Sequence, residues 1–230
     1  MSRSQAGQAR PDEPVGHSGG EAQGAATHTQ MSGVLFVVGA LLAAVALVLI
    51  ALLPRVPAEP TEIVAWVEQG RVQLMWADEL LFFAVLSWCA GGLGLYAGPG
   101  AASTARGLVG LAAFFTAQVA LVVVLLSLGR LVYPVFGIEL SADATALIVS
   151  ETYGALHLAM LAFAVAAVSL SWRPRFSWLA RSLGVLAAIV FVVGAFPWLA
   201  PQWWNGLAGV TLPVWGALLV LPHGQQSHAP

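Results

Sequence analysis

The sequence predicts an all-α integral membrane protein, a polytopic bundle of six transmembrane helices. Of its 230 residues, 59% are hydrophobic and only 9% are charged, whereas an ordinary soluble domain carries about 25% charged residues. The mean hydropathy is +0.83. In addition, the sequence contains six apolar runs, uncharged apart from Glu151 near the start of the fourth, and each is close to the roughly 20 residues that a bilayer core requires. This composition excludes a soluble globular enzyme and a disordered protein.

Charge and cysteine content exclude further classes of protein. The nine cationic residues are all arginine, and eleven acids bring the formal net charge to -2. No basic stripe is available for a phosphate backbone, so we expect the lipid bilayer and not nucleic acid as a partner. Cys89 is the only cysteine, which excludes a disulfide framework and a thiolate zinc site.

The first 32 residues differ in composition from the rest of the chain. They are rich in Gly, Ser, Gln and Ala and hold no aromatic residue, so burial cannot offset the entropy of ordering them. They are predicted to form a disordered cytoplasmic tail, ahead of a transmembrane domain over 33–222 and a short C-terminal tail over 223–230. Met31 directly precedes the first apolar run, so the sequence is compatible with translation starting at Met1 or at Met31.

The six predicted spans are helices because lipid offers no partner to an exposed backbone group. Their bounds are 34–53, 80–98, 107–128, 148–171, 182–199 and 206–221. Pro197, Pro201 and Pro213 interrupt the last two runs. A re-entrant hairpin in place of two full spans is the alternative for that region.

The distribution of charge predicts the orientation. The connections 99–106 and 172–181 hold four arginines and no acid, whereas the other side of the membrane holds three arginines and eight acids. By the positive-inside rule, both termini are predicted to be cytoplasmic. The absence of lysine beside abundant Ala, Val, Gly and Arg is typical of a GC-rich bacterial genome, which predicts the bacterial cytoplasmic membrane.

Polar residues in the predicted spans mark a candidate site. An ionisable side chain deep in a membrane is costly and therefore suggests function, and His157 lies near the middle of the fourth span. Tyr153 is four residues away on the same helical face, and Gln118 lies at a similar depth in the third span. An outer layer of charge at the helix ends completes a predicted funnel, which consists of Asp78, Glu79, Arg130 and Glu151.

The same residues allow a purely structural interpretation. A neutral histidine can hold helices together by hydrogen bonds to Gln118 or to a backbone carbonyl, and the carboxylates can sit in water near Arg130. Haem between helices commonly requires two histidines, and here only Met160 is a candidate second ligand for His157. Haem or quinone therefore stays open as a cofactor, and a metal site is not specified.

The long outer loop after the first span, the stretch YGALHLAML in the fourth, and the turn SWRPRFSWLARSLGVL after it form a pattern over residues 34–221. In this pattern the chain resembles a group of small six-helix bacterial integral membrane proteins of uncharacterised function. The resemblance implies a single-domain membrane protein. It implies no activity and no role for any residue.

The sequence contains no HExxH or P-loop motif, which favours a protein that is not an enzyme. The leading hypothesis is an accessory subunit of a membrane complex, with membrane subunits or further copies of itself as partners, or a small-molecule-binding membrane protein. One alternative is a small transporter or proton-coupled carrier with a relay through Glu151 and His157. Another is a redox subunit that carries haem or quinone.

Overall fold

The computed structural model describes residues 18–96, 104–172, 176–201 and 203–220, with side chains from Thr29 onward. This part of the chain is helical apart from short connections and contains no strand. A short 3-10 turn, Val135–Gly137, lies between the fourth and fifth helices. The α-helices are α1 (Ser18–Ala51), α2 (Pro60–Gln69), α3 (Arg71–Tyr96), α4 (Ala105–Val132), α5 (Ala142–Ser171), α6 (Trp178–Gly194) and α7 (Trp203–Val220).

In the part of the chain that the structure describes, five helices are long and apolar enough to cross a membrane. They are Thr29–Ala51 within α1, together with α3, α4, α5 and α7. The sixth apolar helix, α6, has only 17 residues. The protein is therefore a helical membrane bundle, in which five helices and not the predicted six reach the length of a span.

Six helices form a closed ring. α1 packs against α3 and α7, α4 packs against α3 and α5, and α6 packs against α5 and α7. The short helix α2 lies across one end of the ring, against α5 and α3. We call this end the α2 face; it carries the connections 52–59, 133–141 and 195–201. The other end, where α4 and α6 begin, is the opposite face.

The centre of the ring is filled by six fully buried aromatic side chains, one from each helix. Neighbouring rings contact one another, with centroid separations of 5.2 Å for Trp88 and Phe163 and 5.4 Å for Phe36 and Phe114. This aromatic layer lies in the last third of α3 and of α5, nearer the opposite face. Its members are Phe36, Trp88, Phe114, Phe163, Phe191 and Trp215.

The tightest helix contact joins α1 and α3, and glycine makes it possible. A Cβ atom at Gly91 would lie 2.5 Å from the backbone nitrogen of Phe36. A Cβ atom at Gly39 would lie 2.8 Å from the backbone nitrogen of Trp88. The two backbones therefore touch, as small residues permit in membrane helix pairs.

Helix starts depend on local hydrogen bonds. The side chains of Thr104, Ser141 and Ser177 accept hydrogen bonds from backbone N–H groups three residues later, at 3.1–3.3 Å. Each satisfies a donor in the first turn that has no partner within its helix. These caps fix the starts of α4, α5 and α6.

Several helix bounds differ from the sequence prediction, and three of the differences have a local physical reason. α1 begins at Ser18, inside the segment that was expected to be disordered. The adjacent span already forms a helix, and extending a helix costs less free energy than nucleating one. Residues 1–17 lie outside the described residues. α3 begins at Arg71 and not at residue 80, because no Gly or Pro follows Gly70 in that segment. α6 ends at Gly194 and not at residue 199, because Pro197 disfavours helical backbone before it.

Candidate ligand-binding site

The short helix α6 leaves the α2 face of the ring incomplete. After α6 the chain turns at residues 195–201, and this turn lies beside the middle of α5, where His157 contacts Ala195. The first half of α5 continues beyond the turn toward the α2 face. A space therefore opens on the α2-face side of the turn, between α5 and the connection that follows α1.

This space is a cavity of about 490 Å³, which we call the Arg55 pocket. Its walls come from the connection after α1, from α2, from α5, from the turn after α6 and from the start of α7. The lining residues are Arg55, Val56, Pro57, Ile63, Ala146, Val149, Ser150, Tyr153, Pro197, Trp198, Ala200, Pro201 and Asn205. Small-molecule sites are typically cavities of about this size, largely apolar, with a few polar groups.

Among the described residues that line the pocket, Arg55 is the only charged one. Its guanidinium donates a hydrogen bond to the backbone carbonyl of Trp198 at 3.2 Å. This bond connects two walls of the pocket. Ser150, Tyr153 and Asn205 are the other polar side chains of the lining, so the pocket has one positive end and otherwise uncharged walls.

The pocket continues inward as a narrow crevice of about 20 Å³. Tyr153, Pro197 and Asn205 line both spaces, and the crevice reaches Leu156 and Met160 of α5. Below it, the aromatic layer fills the ring. The Arg55 pocket therefore narrows toward the centre of the bundle and has its mouth at the α2 face.

His157 fastens the turn that forms one wall of the pocket. Its Nδ1 donates to the backbone carbonyl of Ala195 at 2.6 Å, because a carbonyl can only accept. Its ring also packs against Phe196 and Trp198, with centroid separations of 5.0 and 5.4 Å. Ala195 is the C-cap of α6, and carbonyls at a helix end have no partner within the helix. His157 supplies that partner from a neighbouring helix.

The structure separates the residues that the sequence predicted to form one funnel. Tyr153 lines the Arg55 pocket. Glu151 is exposed on a different face of α5 from the half-buried His157. Gln118 is buried in α4, one turn from Phe114, and neither its amide nitrogen nor its amide oxygen has a hydrogen-bond partner.

The three remaining candidates lie together where α3 and α4 approach the α2 face. Glu79 accepts a hydrogen bond from the hydroxyl of Tyr133 at 2.7 Å, and this bond raises the pKa of Tyr133 to about 12, with smaller contributions from desolvation and nearby negative charge. Asp78 is buried beside Gly129, and its Oδ1 has no hydrogen-bond partner. Arg130 donates to the backbone carbonyl of Ile138 at 3.4 Å.

The sequence analysis did not identify Arg55, Trp198 or Asn205 as site residues. One signal for Arg55 was present: it is a cation that follows Pro54 directly at the end of the first span, on the acidic side of the protein. No sequence pattern placed the turn after α6 beside it, since 143 residues separate Arg55 from Trp198.

Among the described residues, no group of three or more His, Cys, Asp or Glu side chains could hold a metal ion. The haem and quinone hypotheses stay predictions. The resemblance to small six-helix membrane proteins also stays a pattern-level prediction. Comparisons with models of known protein families, with curated proteins and with solved structures find no match.

Proposed function

We propose that this protein is a membrane protein without catalytic activity that binds a small amphipathic molecule in the Arg55 pocket. The observation that carries the proposal is a single guanidinium in a cavity of about 490 Å³ whose lining is otherwise uncharged. A guanidinium pairs strongly with carboxylate and phosphate groups. The apolar walls suit hydrocarbon, so the ligand has an anionic head group and an apolar body.

Binding of octanoate tests this proposal. Radiolabelled octanoate is measured on the protein in nanodiscs, and Arg55→Gln is expected to weaken binding about 10-fold, because a charge-assisted hydrogen bond is worth about 1.5–3 kcal/mol and Arg55 is partly exposed. Arg55→Lys keeps the charge and should retain most of the affinity. Arg106→Gln removes an exposed arginine from the opposite face and is the matched control.

Two further measurements make the test decisive. Ser150→Trp fills the pocket and should abolish the binding of octanoate and of the neutral probe octanol. Arg55→Gln should weaken the binding of octanoate and leave the binding of octanol unchanged. The proposal is wrong if Arg55→Gln and Arg106→Gln weaken octanoate binding equally. It is also wrong if a protein that carries Ser150→Trp and keeps its wild-type melting temperature still binds both probes.

We also propose that α6 is a sixth span. We propose further that the protein lies in the bacterial cytoplasmic membrane with the α2 face on the side away from the cytoplasm. Two observations support this arrangement. α6 spans about 25 Å at 1.5 Å per residue, and it takes its place in the ring between α5 and α7. The non-helical turn at 195–201 completes the crossing, which a membrane tolerates where such backbone lines a cavity. The arginines of the opposite-face connections favour a cytoplasmic location for that face.

Cysteine labelling tests both parts of this arrangement. In a Cys89→Ser background, a membrane-impermeant maleimide should label Leu199→Cys in intact cells and Leu179→Cys only after permeabilisation; both leucines are exposed at the two ends of α6. Labelling of both positions from the same side would mean that α6 does not cross the membrane. The reverse pattern would mean that the orientation is inverted.

A further inference from the structure

A second cavity on the α2 face differs in chemistry from the Arg55 pocket. It measures about 480 Å³ and lies between α2, the start of α3, the end of α4 and the start of α5. We call it the Arg130 cleft. Its charged lining residues are Glu68, Arg71, Arg130 and Glu139. Two cations and two anions therefore face one space.

Only one of the two opposite charge pairs is neutralised inside the cleft. Arg71 pairs with Glu68 at 3.2 Å, and its second terminal nitrogen donates to the carbonyl of Val132 at 2.7 Å. Arg71 is therefore engaged at both ends of its guanidinium. Arg130 and Glu139 form no ion pair with each other, and Arg130 has one long hydrogen bond, at 3.4 Å, to the carbonyl of Ile138.

The two remaining charges have different surroundings. Arg130 is half-buried in the last turn of α4. Glu139 is exposed on the connection between α4 and α5. Both line the cleft, yet they are too far apart to neutralise each other. A ligand that carries one charge of each sign would satisfy both at once.

We propose that the Arg130 cleft binds a small zwitterion, with the anionic group of the ligand on Arg130 and its ammonium group on Glu139. A carboxylate or phosphate group of the ligand accepts hydrogen bonds from the Arg130 guanidinium. An ammonium group of the ligand donates hydrogen bonds to the Glu139 carboxylate. Free amino compounds and the head groups of ethanolamine lipids share this chemistry. The site is separate from the Arg55 pocket and does not depend on the function proposed for that pocket.

Three soluble probes test the charge requirement by calorimetry on the full chain in dodecyl maltoside micelles, whose head groups carry no charge. Glycerophosphoethanolamine carries both charges, glycerol phosphate carries only the anion, and ethanolamine carries only the cation. The zwitterion is expected to bind about 5- to 10-fold more tightly than either other probe, since each charged contact adds a modest gain at a partly exposed site.

Variants identify the residues. Arg130→Gln and Glu139→Gln should each lower the affinity for the zwitterion to that of a single-charge probe. Glu62→Gln, which removes an exposed charge from α2, and Arg55→Gln, which alters the other pocket, should leave that affinity unchanged. Because Glu139 lies in an exposed connection, Glu139→Gln tests the site even if Arg130→Gln impairs folding. The proposal is overturned if the zwitterion binds no better than ethanolamine, or if Glu139→Gln has no effect.

A final comparison distinguishes the two sources of ligand. In nanodiscs that contain phosphatidylethanolamine, the lipid head group competes if it is the natural occupant, so the apparent affinity for glycerophosphoethanolamine should fall. An unchanged affinity in those nanodiscs would identify a free solute as the ligand. Both results require the zwitterion site, and the absence of glycerophosphoethanolamine binding in the micelles overturns it.

Discussion

Each of the three arginines on the α2 face donates a hydrogen bond to a backbone carbonyl in another part of that face. Arg55 reaches the carbonyl of Trp198, Arg71 that of Val132, and Arg130 that of Ile138. A guanidinium has five N–H donors in a planar fork, so it can hold a carbonyl and still present other donors to a ligand or an acid. On this acidic face the arginines therefore contribute to structure as well as to charge balance.

Tyr133 provides a titration that can be predicted. Its pKa is raised to about 12 chiefly by the hydrogen bond to Glu79. The contribution of this bond to folding is therefore fully present below the ordinary tyrosine pKa of 10.0 and is lost as pH rises through about 12. The chain has three tyrosines, so the phenolate absorbance of the wild type minus that of Tyr133→Phe should show one component with a midpoint near pH 12.

Glu79→Gln is the matched variant for this titration. Glutamine retains an acceptor oxygen but removes the negative charge, so the pKa of Tyr133 should move back toward 10.0. A Tyr133 component that titrates at the same pH in the wild type and in Glu79→Gln would contradict the assigned cause.

Phe136 has strained backbone at the tip of the connection between α4 and α5. Its φ is +55° and its side chain is 94% exposed. Left-handed backbone costs a bulky residue about 1 kcal/mol or more, whereas asparagine tolerates it. Phe136→Asn should therefore raise the free energy of unfolding by about 1 kcal/mol. Ile138→Asn makes a similar change in polarity at a residue whose φ is -77°, so it should not raise the free energy of unfolding. An equal increase in both variants would exclude backbone strain as the reason.

At the scale of helices, the contact of α1 with α3 depends on Gly91. Gly91→Ala places a Cβ atom 2.5 Å from a backbone nitrogen, so the two helices must separate. The expected loss is about 1–3 kcal/mol in the free energy of unfolding, measured by thermal denaturation in one detergent. Gly154→Ala in α5 meets nothing within 4 Å and should be neutral or slightly stabilising. Equal losses in the two variants would mean that the close contact of α1 with α3 is not the cause of the loss at Gly91.

The existence of the helices was predictable from sequence because apolar runs without breakers must be helical in lipid. Their ends were less predictable. Apolar length marks the part of a helix inside the hydrocarbon, whereas α3 and α5 extend beyond it as far as Gly70 and the Ser141 cap allow. Hydropathy does not report these extensions, because the water-side turns are polar.

The aromatic layer joins all six helices of the ring, so its loss affects the whole molecule. Phe163 contacts Trp88, Phe114, Phe191 and Trp215. Phe163→Ala should reduce the free energy of unfolding by about 3–5 kcal/mol through lost contacts and a central cavity. Leu158→Ala truncates a half-exposed side chain of the same helix and should change the free energy of unfolding by less than about 1 kcal/mol. Similar losses in both variants would show that the layer does not stabilise the ring.

The candidate site was only partly predictable. A lone histidine in an apolar span draws attention to α5, and Tyr153, four residues away, lines the pocket. The sequence does not reveal that the backbone carbonyl of Ala195 accepts a hydrogen bond from His157, or that Arg55 donates one to the carbonyl of Trp198. Both contacts depend on α6 ending early and on the order of helices in the ring. Six similar apolar helices can be arranged in many orders without a change in composition.

The aromatic layer has a consequence for exchange between the two sides of the membrane. A space that is open at one end and filled at the other equilibrates with a single compartment. The occupancy of the Arg55 pocket would then follow the concentration of its ligand at the α2 face and be insensitive to the concentration at the opposite face. A protein with such a one-ended cavity suits reception of a molecule from one side better than its passage across.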